Sequence, residues 1–318
     1  MKKNIFALKH HLLLVLSLSH SFNLFAQKDT TVEVQGKMIT LSDVVVRTNI
    51  NVPAFIKQVQ DDTTFYKAFR NLHILSFTAI NDINMLDKKQ HIIASLKSKT
   101  HQTAANGCRT MQVLEENKTG DIYKGNYDWN YYTASLYAGL FFTNGRVCGE
   151  TNIVKGVDFS AKDKSGIEKH KAQLKMLFFN PGKKIPGIPF IGNKINLFDE
   201  EVAQLYDFSI DYADHNQHHC YVFTIVPREN LTADEKSRLV IDNMTTWFDT
   251  ETMEVIARNY EMSYDARVYD FKVKMEVEMT HFNEYLVPRV IRYNGNWDVM
   301  FKKRERGIFT ATLFDFGK

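Results

Sequence analysis

From Tyr269 to Met279 the chain alternates without a break: Tyr269, Phe271, Val273, Met275, Val277 and Met279 fall on one side, and Asp270, Lys272, Lys274, Glu276 and Glu278 on the other. Only an extended strand sends successive residues to opposite faces, so this segment is a strand in a sheet with one dry and one wet face. A wet face implies antiparallel pairing, because parallel sheets are covered on both sides. The same period recurs upstream. Tyr206, Phe208, Ile210 and Tyr212 alternate with Asp207, Ser209 and Asp211, and Tyr221, Phe223 and Ile225 alternate with Val222 and Thr224 up to Pro227. Further strands are predicted at 239–241, 245–248, 253–260, 286–293, 299–303 and 308–316, with Asp249-Thr250-Glu251-Thr252 and Asn294-Gly295-Asn296 as the plainest turns.

The first half reads differently. Ile39 to Val46 is predicted as one buried strand, and Asn51 and Pro53 then open a helical stretch. There Phe55, Ile56 and Val59 share a face, and Phe65, Phe69 and Leu72 continue it past Asp61-Asp62, as one broken helix or two short ones. Strand-like segments follow at 76–83, 91–99 and 109–114. Tyr123, Tyr127, Trp129, Tyr131, Tyr132 and Tyr137 crowd together; half-exposed strand aromatics are the expected state, with a groove lining as the alternative. Ser165 and Glu168 form a capping box for a helix over 165–178, with Ile167, Leu174, Leu177 and Phe178 on one face. Residues 180–194 gather Pro181, Pro186, Pro189, Gly182, Gly187 and Gly192 among apolar residues, an irregular apolar loop, before a short helix at 199–205.

Residues 1–26 read as a secretory signal peptide: Lys2, Lys3 and Lys9 precede a short apolar run from Leu12 to Leu18, and Ala26 suits cleavage before Gln27. Residues 27–50 form a lead and strand, and 51–318 one domain. Lys and Arg total 40 against 37 Asp and Glu, so without the three leader lysines the charges balance at 37 each. A balanced chain has no electrostatic case for nucleic acid. Cys108, Cys148 and Cys220 allow one disulfide and one free thiol after export, in any of three pairings.

Common catalytic signatures are absent. There is no H-E-x-x-H, G-x-S-x-G or G-x-G-x-x-G, and the Gly187 to Gly192 spacing of a phosphate loop has Asn193 in the lysine place and Pro189 inside it. No enzyme activity and no cofactor are expected. Asp214-His215-Asn216-Gln217-His218-His219-Cys220 is the one stretch rich in metal-ligand types, which makes His215, His218 and His219 the candidate metal ligands. A polar hairpin loop accounts for them without a metal. Lys302-Lys303-Arg304-Glu305-Arg306 reads as a solvated turn or strand edge.

The stretch from Tyr206 onward, a helix-flanked opening and then a long amphipathic meander, resembles the LolA/LolB-like periplasmic lipoprotein-carrier fold, an open half-barrel closed by helices. The chain departs from that family in length and in the residues between Asp87 and Asp163. Leu41-Ser42-Asp43-Val44-Val45-Val46 also looks like the segment after the regulatory β-domain of secreted carboxypeptidase-like regulatory domain proteins, though here that β-domain is missing. The expected fold is α+β: one large curved antiparallel sheet, an open half-barrel, with a few helices packed on or across it. The resemblance implies an exported envelope protein, periplasmic or outer-membrane associated. It would hold a lipid or lipoprotein acyl chain on the concave face through Phe208, Ile210, Phe223, Phe271, Val273 and Met275. The alternative is a structural or assembly protein of the envelope with an outer-membrane protein as partner, including an outer-membrane barrel, against which the capped helix and the Pro/Gly loop stand. A metal-dependent enzyme using the histidines is the third reading.

Overall fold

The alternating segments assemble into one broad sheet. The computed structural model describes residues 30–34, 37–41, 44–46, 50–125, 128–154, 178–179, 181–183, 194–265, 269–299 and 303–318. Strands β1 (Thr30–Val34), β2 (Lys37–Leu41) and β3 (Val44–Val46) precede helices α1 (Val52–Asp61) and α2 (Thr64–Asn71). Then come β4 (Ser76–Leu86), β5 (Ile92–Ala105), β6 (Cys108–Thr119), the two-residue β7 (Tyr123–Lys124) and β8 (Asp128–Trp129), helix α3 (Tyr132–Phe141) and β9 (Val147–Cys148). Single helical turns at Glu200–Ala203 and Ala233–Lys236 flank β10 (Tyr206–His215) and β11 (His218–Pro227). The meander ends with β12 (Ile241–Asp249), β13 (Val255–Asp265), β14 (Tyr269–Phe282), β15 (Tyr285–Val299) and β16 (Glu305–Gly317).

Twelve strands form the sheet, in the order β3-β10-β11-β12-β13-β14-β15-β16-β4-β5-β6-β9. Every neighbouring pair is antiparallel except β3 with β10. The sheet does not close: it is an open half-barrel, and the fold is α+β. Among the described residues no helix is long and apolar enough to cross a membrane.

Alternation decides which face is dry. Phe271, Val273, Met275, Val277 and Met279 are buried while Lys272 and Lys274 are exposed. The dry face meets α1 and α2, which bury Phe55, Ile56 and Val59, then Phe65, Ala68 and Phe69. Phe55 packs edge-on against Phe223 and Phe248 with centroids at 5.6 and 5.7 Å. Each such large side chain withdrawn from water contributes about 1.5–3 kcal/mol, so two short helices suffice to fix the face they cover. Asn51 caps α1, its side chain accepting from the Ala54 N–H at 3.2 Å, and Pro53 lies in the first turn, where no intrahelical donor is lost.

Several expectations are corrected. The strand expected over 39–46 is split: β2 pairs with β1 in a separate hairpin, and β3 lies beside β10. Asn294-Gly295-Asn296 is no turn but the interior of β15, with Gly295 opposite Gly307 on β16. The strands expected at 239–241 and 245–248 are one strand, β12. The region around Tyr132 to Tyr137 is helical, not extended. Helix 51–72 is two helices broken at Asp62, as one of its two readings had it. Residues 1–26, most of the helix expected at 165–178 and most of the loop at 180–194 lie outside the described residues.

Candidate functional site

The six residues expected to hold a ligand are core. Phe208, Ile210, Phe223, Phe271, Val273 and Met275 are each at most 2% exposed. Phe208 lies between Phe198 and Phe223, and Phe271 stacks on Trp297 at 4.9 Å. Met275 borders a small space of about 20 Å³ beneath Tyr137, Phe141 and Phe309.

The histidines of the β10–β11 hairpin are paired one by one. Asn216 and Gln217 turn the hairpin with positive φ, the two-residue geometry that suits strand twist. His215 Nε2 lies 2.9 Å from Glu278 Oε2 and its ring stacks on Trp247 at 4.8 Å. His218 Nδ1 lies 2.9 Å from Asp249 Oδ2, and His219 Nδ1 2.6 Å from Asp214 Oδ1. Three imidazoles with three different carboxylates do not converge, and among the described residues no set of three or more His, Cys, Asp or Glu is gathered as a metal site. Burial pushes the Cys220 thiol up to about 11, away from a ligating thiolate.

Open space lies at the other end of the sheet. α2 meets β5 at its C-terminal end, where Gln102 Nε2 donates to the Leu72 carbonyl at 2.7 Å, and α3 crosses β5 and β6 farther along. Between α3 and these strands runs a groove of about 490 Å³ with Leu96, Met111 and Val113 on the sheet side and Trp129, Ala138 and Phe142 opposite. Ser135, Ala138 and Gly139, at helical spacings of three and four, leave α3 nearly bare on its groove side. Several buried polar groups nearby are bonded to one another. The Tyr137 hydroxyl donates to Asn81 Oδ1 at 3.0 Å, Asn81 Nδ2 lies 3.4 Å from Thr100 Oγ1, and Thr143 donates to Gln102 Oε1 at 2.7 Å. Its size falls in the range of small-molecule pockets, and its lining mixes apolar side chains with Ser98, Glu116, Ser135 and Asn144.

Three supports hold the groove in shape. Glu305, from β16, reaches the bare N-terminus of α3: its Oε1 accepts from the Tyr132 N–H at 2.9 Å, and its Oε2 from the Thr133 N–H and hydroxyl, both at 2.8 Å. The β7–β8 hairpin sets Tyr123 against Trp129 at 4.8 Å, and Trp129 faces Phe142 at 6.2 Å. A Cys108–Cys148 disulfide ties β6 to β9 just beyond α3. Beside it Arg109 donates to Glu150 Oε2 at 2.6 Å and to Thr143.

Tyr123, Trp129, Tyr131 and Tyr132, the crowd of aromatics in the sequence, border this groove or the adjoining cavity. The small-residue face of α3 and the role of Glu305 escaped sequence reasoning. The signal was present as Ser135, Ala138 and Gly139, but it is legible only once α3 is known to be a helix.

No family model matches the chain, and no curated protein matches it. Among solved structures it is similar to a DUF1329 family protein from Desulfovibrio piger, at 11% identity over 82% of this chain and 89% of that one, with a TM-score of 0.25. It is also similar to a domain from Vibrio parahaemolyticus that bears the name outer membrane lipoprotein-sorting protein, at 8% identity over 82% and 91% of the two chains, with a TM-score of 0.26. A lipovitellin structure is similar at 7% identity over 76% of this chain and 25% of that one, with a TM-score of 0.20.

Proposed function

We infer that the protein is an exported binding protein of the cell envelope that holds an acyl chain in the groove between α3 and β5–β6. The groove itself carries the reading. Leu96, Met111, Trp129, Ala138 and Phe142 line it beside a few polar groups at its rim, Glu116 and Asn144 among them, and Val113 stands 58% exposed on its wall. A large apolar side chain left in water is unfavourable by about 1–3 kcal/mol, and an acyl chain laid along it removes that surface. The Cys108–Cys148 disulfide and the leader-like residues 1–26 both support an oxidising compartment outside the cytoplasm. The role is binding rather than catalysis.

The test is binding of a neutral fluorescent fatty alcohol to the secreted form. Val113→Asp and Gly139→Phe each place a charge or bulk in the groove at exposed positions. Each should weaken the probe about tenfold or more with the melting temperature kept. Unchanged affinity in both variants would remove the groove as the site.

A second reading, strand docking by an envelope partner, is favoured by β6. Among the described residues β9 covers only Cys108 and Arg109, so the rest of β6 is an open edge with Leu114 50% exposed. Leu114→Lys should abolish such docking and leave fatty-alcohol binding intact.

A further inference from the structure

The groove continues into a second cavity, and that cavity is charged. A space of about 740 Å³ adjoins the groove at Trp129 and Ser135, which border both. β5 runs beneath both: Leu96 lies under the groove, while Ile93 of β5 with Met85 and Leu86 of β4, paired to Ala94 and Ile92, borders the mouth. Arg306 of β16 pairs with Leu86 and closes the far end.

Five cations border this mouth, Lys88, Lys124, Lys303, Arg304 and Arg306, against three acids, Asp87, Asp121 and Glu305. The acids are committed elsewhere. Glu305 accepts from the first N–H groups of α3. Asp87 accepts from the Lys89 and His91 N–H groups of its own turn at 2.7 and 2.9 Å. Asp121 accepts from the Tyr131 hydroxyl at 2.5 Å and from Asn130 Nδ2 at 2.9 Å. Arg304 is held by Asp270 at 2.5 Å and Asp298 at 3.0 Å. Lys88, Lys124, Lys303 and Arg306 make no ion pair among the described residues. The three carboxylates keep their charge, so the lining as a whole carries +2, five cations against three acids, and the four cations without an ion pair among the described residues are the ones an anion can meet. Lysine and arginine together suit a phosphate, as point charge and as planar fork.

We propose that the occupant is an anionic phospholipid, its acyl chain over Leu96 and Val113 and its phosphate at Lys88, Lys124, Lys303 and Arg306. This rests on the acyl-chain reading of the groove and adds the head group to it.

The experiment exposes the secreted form to vesicles of phosphatidylglycerol or of phosphatidylcholine with identical acyl chains, and counts retained lipid by native mass spectrometry. Phosphatidylglycerol should be retained about tenfold over phosphatidylcholine at low salt, because several exposed charge contacts each add a small increment. The preference should collapse at about 0.5 M salt, where charges are screened beyond a few ångströms. Replacing Lys88, Lys124, Lys303 and Arg306 with serine should erase it while the neutral fatty alcohol still binds. Equal retention of both lipids by the unaltered protein, with the alcohol bound, overturns the head-group proposal and leaves the acyl reading standing. Inorganic phosphate competing as well as phosphatidylglycerol overturns it too, making the mouth a free-anion site. Failure to bind any acyl probe overturns both.

Discussion

Arg258 carries its charge inside the core and shows how single residues tie the helices to the sheet. Its Nε donates to Thr246 Oγ1 at 3.0 Å, its guanidinium lies 4.4 Å from the centre of the Phe65 ring, and its Nη2 is 3.8 Å from Asp62 Oδ2. Burial lowers its pKa and Asp62 works against that fall. Asp62 does double duty, because its Oδ1 also accepts from the Thr64 N–H at 2.8 Å and so opens α2, whose Thr63 cap makes no side-chain bond. Arg258→Met should therefore strand a buried carboxylate and lower the unfolding free energy by about 3 kcal/mol, with Asp62→Asn in the same chain restoring part of the loss. Urea titration of both variants checks this, and equal losses in single and double variants would deny the coupling. His73 supplies the pH dependence. Burial lowers it to about 4; Glu150, 3.0 Å from its Nδ1, pulls the other way, while Arg70 and Arg109 add to the fall. An imidazole in the unfolded chain titrates near 6.5. Between those values the unfolded chain binds a proton that the folded one refuses, so stability present above about 6.5 is lost as the pH falls toward 4. Burial alone would raise Glu150, but the Arg109 hydrogen bond and the nearby cations hold it below its ordinary value, so its share goes only at still lower pH. The urea midpoint of His73→Gln should drop less than that of the unaltered protein between pH 6.5 and 4; parallel curves would clear His73 of the effect.

At the scale of elements, what the sequence disclosed depended on whether the cause lay nearby. β14 and β10 were readable because alternation is local, and α1 was readable because Asn51, Pro53 and the Phe55 face lie within one turn or two. α3 was not. Its apolar residues surround the axis rather than line one side, its own N-cap Tyr131 offers the helix no side-chain cap bond, and the carboxylate that serves its N-terminus comes from Glu305, far along the chain. Glu305→Ala leaves two inward N–H groups unserved and removes a favourable charge from the positive helix end; a loss of about 2 kcal/mol is expected, against about 1 for Glu305→Gln, which keeps an acceptor. Thermal unfolding of the pair should rank them in that order, and the reverse order would mean the carboxylate does not act as a cap. The turn expected at Asn294-Gly295-Asn296 fails for a similar reason. Gly295 faces Gly307 across the β15–β16 ladder, and the missing side chains make room for Tyr293 and Phe309, which stack with centroids at 5.0 Å. A Cβ on Gly295 would sit 1.9 Å from the Tyr293 hydroxyl, which the Trp297 indole N–H holds at 2.5 Å. Gly295→Ala should therefore cost about 1–3 kcal/mol by overpacking, and a neutral result would show that the Tyr293 ring is free to move.

For the molecule as a whole, the sheet is wider than its helices, and function is sought where cover runs out. Sequence reasoning located the dry face but assigned the ligand to Phe271 and its neighbours, because alternation reveals which face is apolar and not which part of it the helices cover. α1 packs over β11 and β12 through Phe55, and α2 over β13 and β15 through Phe65 and Asn71, so that among the described residues α3 is the helix that crosses the middle of β5 and β6. Likewise the sequence allowed three cysteine pairings, and only the β6–β9 ladder, with Cys108 opposite Cys148, selects one. That bridge closes a loop with a sequence separation of 40, and everything that walls the groove on its open side lies within it: β6, the β7–β8 hairpin and α3. Closing a loop of this length removes unfolded-state entropy worth about 4 kcal/mol. The Cys108→Ser, Cys148→Ser double variant should lose a large part of that and, while still folded at low temperature, should also bind the fatty alcohol more weakly, since β6 then loses its covalent tie to β9. Binding and stability are separable here: Arg258→Met destabilises through the helices at the other end of the sheet and should leave the affinity for the alcohol alone. If both variants weakened binding in proportion to lost stability, the groove would be no more than a sensor of global unfolding; a loss confined to the disulfide variant places the ligand inside the cross-linked loop.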